Sequence, residues 1–167
     1  MSFEPCPQGY DSPRWSGEVL DCSMPMTFDT YSVCSYNCAY CFAANQKLLG
    51  QNRANYVSRI ARSVNVEYVK QLFTGGGPPS QFDTYIAQRK ALQWGGMSDP
   101  FDEHERKHGV TLELLRFFRE IEYPICFSTK AAWWTKDERY AEVFRGAKHF
   151  NCKFSIITLD EIGRAHV

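Results

Sequence analysis

The chain has 167 residues, of which 44% are hydrophobic and 23% charged, as expected of one ordinary soluble globular domain with a real core. Its formal net charge of zero gives no support for a nucleic-acid partner held by bulk electrostatics, although a local basic groove would not register in such a count. No apolar run approaches a membrane span and the N-terminus lacks a signal-peptide layout, so a cytoplasmic protein is expected, in which seven cysteines argue against a disulfide framework.

Residues 1–26 are rich in Pro, Ser, Gly and Asp without a clear period, and are expected to be an extended lead-in over the surface. The β-branched and aromatic run Thr27–Val33 predicts a strand, and a cysteine loop follows it at once. From Ala43 to about Arg62 the chain is polar and rich in Asn and Gln, and its secondary structure stays open. Val66, Val69 and Phe73 predict a short helix within 64–73. The run Gly75-Gly76-Gly77-Pro78-Pro79 has no Gly-Lys-Ser/Thr after it, so it reads as a turn rather than a phosphate loop. Ser80 with Asp83 resembles a capping box that opens a helix toward Lys90. Ala91–Gly95 predicts a second strand ending in a Gly-Gly turn. Leu114, Leu115, Phe117, Phe118 and Ile121 form one face of an amphipathic helix over 110–121, which Pro124 breaks. Ile125–Thr129 is a third strand, Asp137 caps a helix carrying Tyr140, Val143 and Phe144, and Cys152–Thr158 is a fourth strand.

Strands separated by helices imply βα units and a parallel sheet. An open four-stranded sheet satisfies the pattern. A partial (β/α) barrel of about four βα units satisfies it better, because the architecture stops abruptly. The expected class is therefore α/β, with a lead-in at 1–26 and a partial barrel core over 27–160. Residues 161–167 (EIGRAHV) resemble a translated sequencing adaptor and are expected to be a non-native tail, the alternative being an ordinary polar tail. A half barrel leaves an unpaired edge strand and an exposed apolar face, so such a fragment is expected to fold poorly and to be inactive alone. In βα barrels the chemistry gathers at the C-terminal strand ends, which here are 34–41, 95–99, 128–130 and 155–160.

The first of these ends reads Cys34-Ser-Tyr-Asn-Cys38-Ala-Tyr-Cys41, a C-x3-C-x2-C loop. Thiolates bind zinc and iron–sulfur clusters. Zinc sites close with four ligands from paired knuckles, and no matching second pair is present. Three cysteines can hold three irons of a [4Fe–4S] cube and leave the fourth open. An electron-transfer or structural iron–sulfur module, a zinc knuckle and unligated thiols remain the alternatives. Cys126 and Cys152 fall in predicted strands and read as core thiols, whereas Cys6 and Cys22 read as surface thiols or an additional ligand. Trp133 and Trp134, with Lys130 and Lys136 nearby, can stack on a nucleobase or pack over a barrel rim.

The loop resembles the signature of the radical S-adenosylmethionine (SAM) superfamily, with Tyr40 as the aromatic before the last cysteine and Phe42 after it. The segment Trp94-Gly95-Gly96-Met97-Ser98-Asp99-Pro100-Phe101, with Glu105, is similar to that of spore photoproduct lyase-like proteins, often labelled DNA repair photolyases. The order of segments from Thr27 to Asp160 agrees with this group. The resemblance implies a radical SAM-type barrel and a [4Fe–4S] cluster held by Cys34, Cys38 and Cys41. It implies SAM on the open iron, cleaved reductively to a 5′-deoxyadenosyl radical. Tyr40, Phe42, Ser98, Asp99, Lys130 and Ser155 would be cofactor neighbours, with Lys130 meeting the SAM carboxylate. The implied partners are a reductant such as flavodoxin or ferredoxin and a nucleic-acid lesion as substrate, with RNA, peptide or a small molecule as alternatives. By their residues alone, Asp99 also reads as an Asp-Pro turn cap, Lys130 as a solvated lysine and Ser155 as a backbone-bonded strand serine. One departure stands out: Gly96 occupies the position where the characterised lyase has a hydrogen-donating cysteine.

Overall fold

Three short segments share one pattern, a smaller or polar residue between two large apolar ones: Met26-Thr27-Phe28, Leu92-Gln93-Trp94 and Ile125-Cys126-Phe127. A period of two sends the outer pair to one face of a sheet and the middle residue to the other. The computed structural model describes residues 2–16, 24–49 and 53–156. Its strands are β1 (Arg14–Trp15), β2 (Met26–Phe28), β3 (Leu92–Trp94), β4 (Ile125–Thr129) and β5 (Phe150–Phe154). They form one sheet in the order β1-β2-β3-β4-β5, with β2 to β5 parallel and β1 antiparallel at the β2 edge. Among the described residues the order never reverses, unlike a doubly wound sheet with its switch point.

The register aligns the faces. Met26, Leu92, Ile125 and Phe150 stand in one row and Phe28, Trp94, Phe127 and Cys152 in another. Between them runs Arg14, Thr27, Gln93, Cys126 and Asn151 on the opposite face. The helices are α1 (Phe42–Leu49), α2 (Arg53–Val57), α3 (Val66–Thr74), α4 (Asp83–Ala87), α5 (Glu103–His108), α6 (Val110–Glu120) and α7 (Glu138–Phe144), with a 3-10 turn at Trp133–Lys136. Residues of α3, α6 and α7 complete the core over the apolar rows. Phe118 of α6 is its centre, its ring meeting Phe28, Phe73 and Trp94 edge-on. Burial of aromatic side chains of this size dominates the folding energy.

Several expectations are met closely. The third strand and the 110–121 helix fall where periodicity puts them, and Asp137 caps α7 through the Arg139 N–H. The Gly-rich run is a turn: Gly75 ends α3 in the left-handed conformation. The predicted capping box is half formed, with the Ser80 N–H donating to Asp83 and the Ser80 hydroxyl accepting from Phe82 N–H.

Others change. The first core strand stops at Phe28 rather than Val33, because Asp29 and Thr30 turn their polar groups into tertiary bonds: Asp29 to Arg14, and Thr30 to Thr111 and to the Trp94 indole. The last strand begins at Phe150 instead of Cys152 and pairs to Phe154, while 157–158 lie outside the described residues, as does the 161–167 tail. The lead-in contributes β1, so the β2 edge is paired rather than open. The Asn/Gln-rich stretch forms α1 and α2. No described helix is long and apolar enough to cross a membrane.

Candidate functional site

The cysteine loop leaves β2 and ends at α1. Cys41 N–H donates to the Cys38 carbonyl at 3.1 Å, which turns the chain, and Ala44 N–H donates to Cys41 Sγ at 3.4 Å. The last thiol thus sits at the start of α1 and accepts one of its first N–H groups. All three thiols are half-buried. Burial, with the nearby Asp102 charge, pushes the Cys34 thiol up to about 12. Positive iron or zinc beside it reverses that preference.

These cysteines open into a cavity of about 590 Å³ at the C-terminal ends of the parallel strands. The nine residues that the resemblance offers as cluster ligands and cofactor neighbours all line it: Cys34, Cys38, Cys41, Tyr40, Phe42, Ser98, Asp99, Lys130 and Ser155. They come from four separate strand ends and meet only because the sheet places those ends together. The polar face of the sheet forms the floor through Thr27, Gln93 and Ser128.

The contacts define what each side chain is free to do. Lys130 Nζ donates to Tyr40 Oη at 2.7 Å and lies 4.9 Å from that ring's centre. The aromatic before the last cysteine therefore places the cation beside the cysteine loop. Asp99 is buried; its Oδ1 accepts from Phe101 N–H at 2.9 Å and Thr129 Oγ1 at 2.7 Å, and its Oδ2 from Lys130 N–H at 2.7 Å. It ties the β3 end to the β4 end and keeps acceptor capacity on Oδ2 for one more donor. Burial pushes its carboxyl above the usual range while these donors oppose the shift. Ser98 is engaged as well, its hydroxyl donating to Asp29 at 3.3 Å. Ser155 is exposed, and its N–H continues the β4–β5 ladder to the Thr129 carbonyl at 2.9 Å.

Both glycines of the 95–96 turn serve close approach inside the protein. Gly95 has φ +93°, and a Cβ there would lie 2.9 Å from the Ser128 carbonyl oxygen. A Cβ on Gly96 would lie 2.5 Å from Thr27 Oγ1. A side chain at position 96 would force the Thr27 hydroxyl of the polar floor to shift.

Buried carboxylates brace this arrangement. Asp102 caps α5 through His104 N–H at 2.9 Å and accepts Ser35 N–H at 2.7 Å, tying the cysteine loop to α5; burial pushes it up to about 7. Glu105, part of the sequence pattern, is fully buried away from the cavity and binds Tyr31, Tyr140 and the N–H groups of Thr111 and Leu112. Its role is to cap α6 and join it to the loop and to α7.

Sequence reasoning missed Asp29, Lys47 and the row Arg14, Thr27 and Gln93. The alternation within Met26-Thr27-Phe28 and Leu92-Gln93-Trp94 was the available signal for the row. The remaining candidates lie elsewhere. Trp134 is buried and stacks on Phe101 at 4.6 Å, and the Trp133 indole donates to the Phe101 carbonyl at 2.6 Å, so the pair packs as a rim. Cys6 belongs to a small cluster with Val33, Tyr56 and Ala61 rather than to the surface or the cavity wall. Cys126 is buried, Cys152 half-buried, and Cys22 lies outside the described residues.

Among the described residues no group of three or more His, Cys, Asp or Glu side chains is gathered closely enough to hold a metal ion. The donor set fits an iron–sulfur cluster in kind: three thiols on one loop, an N–H on one sulfur, and open volume beside them. Compared with protein-family models, curated proteins and solved structures, the chain matches none.

Proposed function

We propose that this chain is a radical SAM enzyme, its sheet being the first part of a (β/α) barrel. The observation that carries the reading is the convergence of all nine signature residues on one cavity at the strand ends. Bound there, a [4Fe–4S] cluster and SAM supply one-electron cleavage of the sulfonium and a 5′-deoxyadenosyl radical. The protein's own residues hold and shield. Cys34, Cys38 and Cys41 supply the thiolates. Lys130, placed by Tyr40, offers a positive charge to a carboxylate. Asp99 and the exposed Ser155 hydroxyl offer further polar contacts, and the exposed rings of Tyr40 and Phe42 border the same cavity.

The likeness to spore photoproduct lyase-like proteins supports a place in that group, with a nucleic-acid lesion as substrate. Thymine-dimer reversal through a thiol at position 96 is not part of the proposal, since Gly96 lies against Thr27. Anaerobic reconstitution with iron and sulfide tests the reading. The protein is expected to gain the broad visible absorption of a [4Fe–4S] cluster, and Cys38→Ala to lose it, because one iron is left without its thiolate. A protein that takes up only zinc, or a Cys38→Ala variant with full iron content, overturns it.

A further inference from the structure

Two groups on opposite flanks of the cysteine loop grip the same residue. Asp29 follows β2, ahead of the loop, and Lys47 lies on α1, behind it. Met97 N–H donates to Asp29 Oδ1 at 2.7 Å, and the Met97 carbonyl accepts from Lys47 Nζ at 3.3 Å. The next residue is held too: Ser98 N–H reaches the same Asp29 oxygen at 2.8 Å. Lys47 also donates to the Ser32 carbonyl at 2.7 Å, inside the segment that leads into Cys34.

The anchors are themselves fixed. Asp29 is fully buried, is paired with Arg14 of β1, and has its own N–H bonded to Ser12 Oγ at 3.2 Å. Gly95 and Gly96 precede the turn, so no side chain of their own restrains it. Burying a carboxylate and an ammonium is unfavourable unless their bonds are well made. Here both charges are directed at the two peptide groups of one short turn. The fully buried carboxylate and the half-buried ammonium together fix the position of the turn.

We propose that Asp29 and Lys47 are positioning residues that clamp the Met97–Ser98 turn to the cysteine loop, making ligand binding at the turn depend on the loop's geometry. The clamp rests on the hydrogen bonds above. The identity of its ligand, SAM, rests on the proposed function.

Hydrogen–deuterium exchange of residues 92–101 in the cofactor-free full chain reads the clamp directly. Titration of SAM into the reduced, reconstituted protein, followed by the shift of its electron paramagnetic resonance signal, reads the ligand. Lys47→Met leaves the Arg14–Asp29 pair intact and carries the test if Asp29→Val fails to fold. It is expected to speed exchange at Met97 and Ser98 and to raise the SAM dissociation constant roughly tenfold, the loss for one charged hydrogen bond. Iron content is expected to stay unchanged, and Lys47→Arg to restore affinity to within about twofold, since it keeps a donor. Unchanged exchange, or iron content that falls in step with affinity, overturns the clamp. A wild-type protein that takes up no cluster overturns the reading of the cavity instead, and the exchange data then decide the clamp alone.

Discussion

On one face of the sheet Met26, Phe28, Leu92, Trp94, Ile125 and Phe127 are sealed under α3, α6 and α7, each no more than 1% exposed. On the other face the same strands present Thr27, Gln93 and Ser128 to a cavity. The residues alternate one by one, so two neighbours in a strand serve different ends. Apolar burial on the first face carries the stability. The second face gives up that contribution and keeps polar groups and open volume where chemistry can occur. Loss on one face should therefore leave the other readable, and substitutions can separate them.

The largest effect is expected on the sealed face. Phe118→Ala removes the ring at the centre of the aromatic cluster and is expected to lower stability by about 3–5 kcal/mol, measured by chemical denaturation. A loss below about 1 kcal/mol would place the core elsewhere.

Glu105 sharpens the distinction, being a buried charge on the structural side. Burial pushes its carboxyl up to about 7 from an ordinary 4.5, against four donors. A carboxyl raised on folding contributes stability that is complete below its unfolded value and is lost as pH rises through the folded one. The melting temperature is expected to fall between pH 4.5 and 7, and Glu105→Gln to flatten that dependence. An identical slope in both proteins would assign the effect to other groups.

On the cavity face, Lys130→Ala is expected to weaken SAM binding by roughly tenfold, the loss for one charged hydrogen bond, while iron content and melting temperature hold. A fall in iron content would make Lys130 structural. An effect of similar size is expected on the cavity floor from Gly96→Ala, whose new methyl meets Thr27 Oγ1. About 1–3 kcal/mol of destabilisation is expected from overpacking. Thr27→Ala should relieve part of it in the double variant, because the two sites are in contact.

What the sequence revealed divides along the same line. Local periodicity located α6 and β4, since each buries one face along its whole length. The spacing of the cysteine loop and the place of the strand ends are local features, whereas Ser98, Asp99, Lys130 and Ser155 were named through the resemblance to the lyase-like group. The two-residue β1 has no period to detect, and it exists through pairing with β2. The first core strand was overextended because Asp29 and Thr30 look compatible with a strand until their distant partners, Arg14, Thr111 and Trp94, are known. Asp29 and Lys47 were invisible as site residues for the same reason. Each is defined by Met97, which lies far along the chain and signals nothing by its own identity. Gly95 and Gly96 are points of close approach to Ser128 and Thr27, partners that lie far along the chain and leave no local signal.

We propose that the cavity between the cysteine loop and the Ser98, Lys130 and Ser155 strand ends performs SAM chemistry. The most direct test is to incubate the full-length protein, reconstituted and reduced, with SAM and quantify 5′-deoxyadenosine and methionine. Both products are expected in equal amounts from the wild type and neither from Cys38→Ala. A protein that carries a reduced [4Fe–4S] cluster and leaves SAM intact would contradict the account.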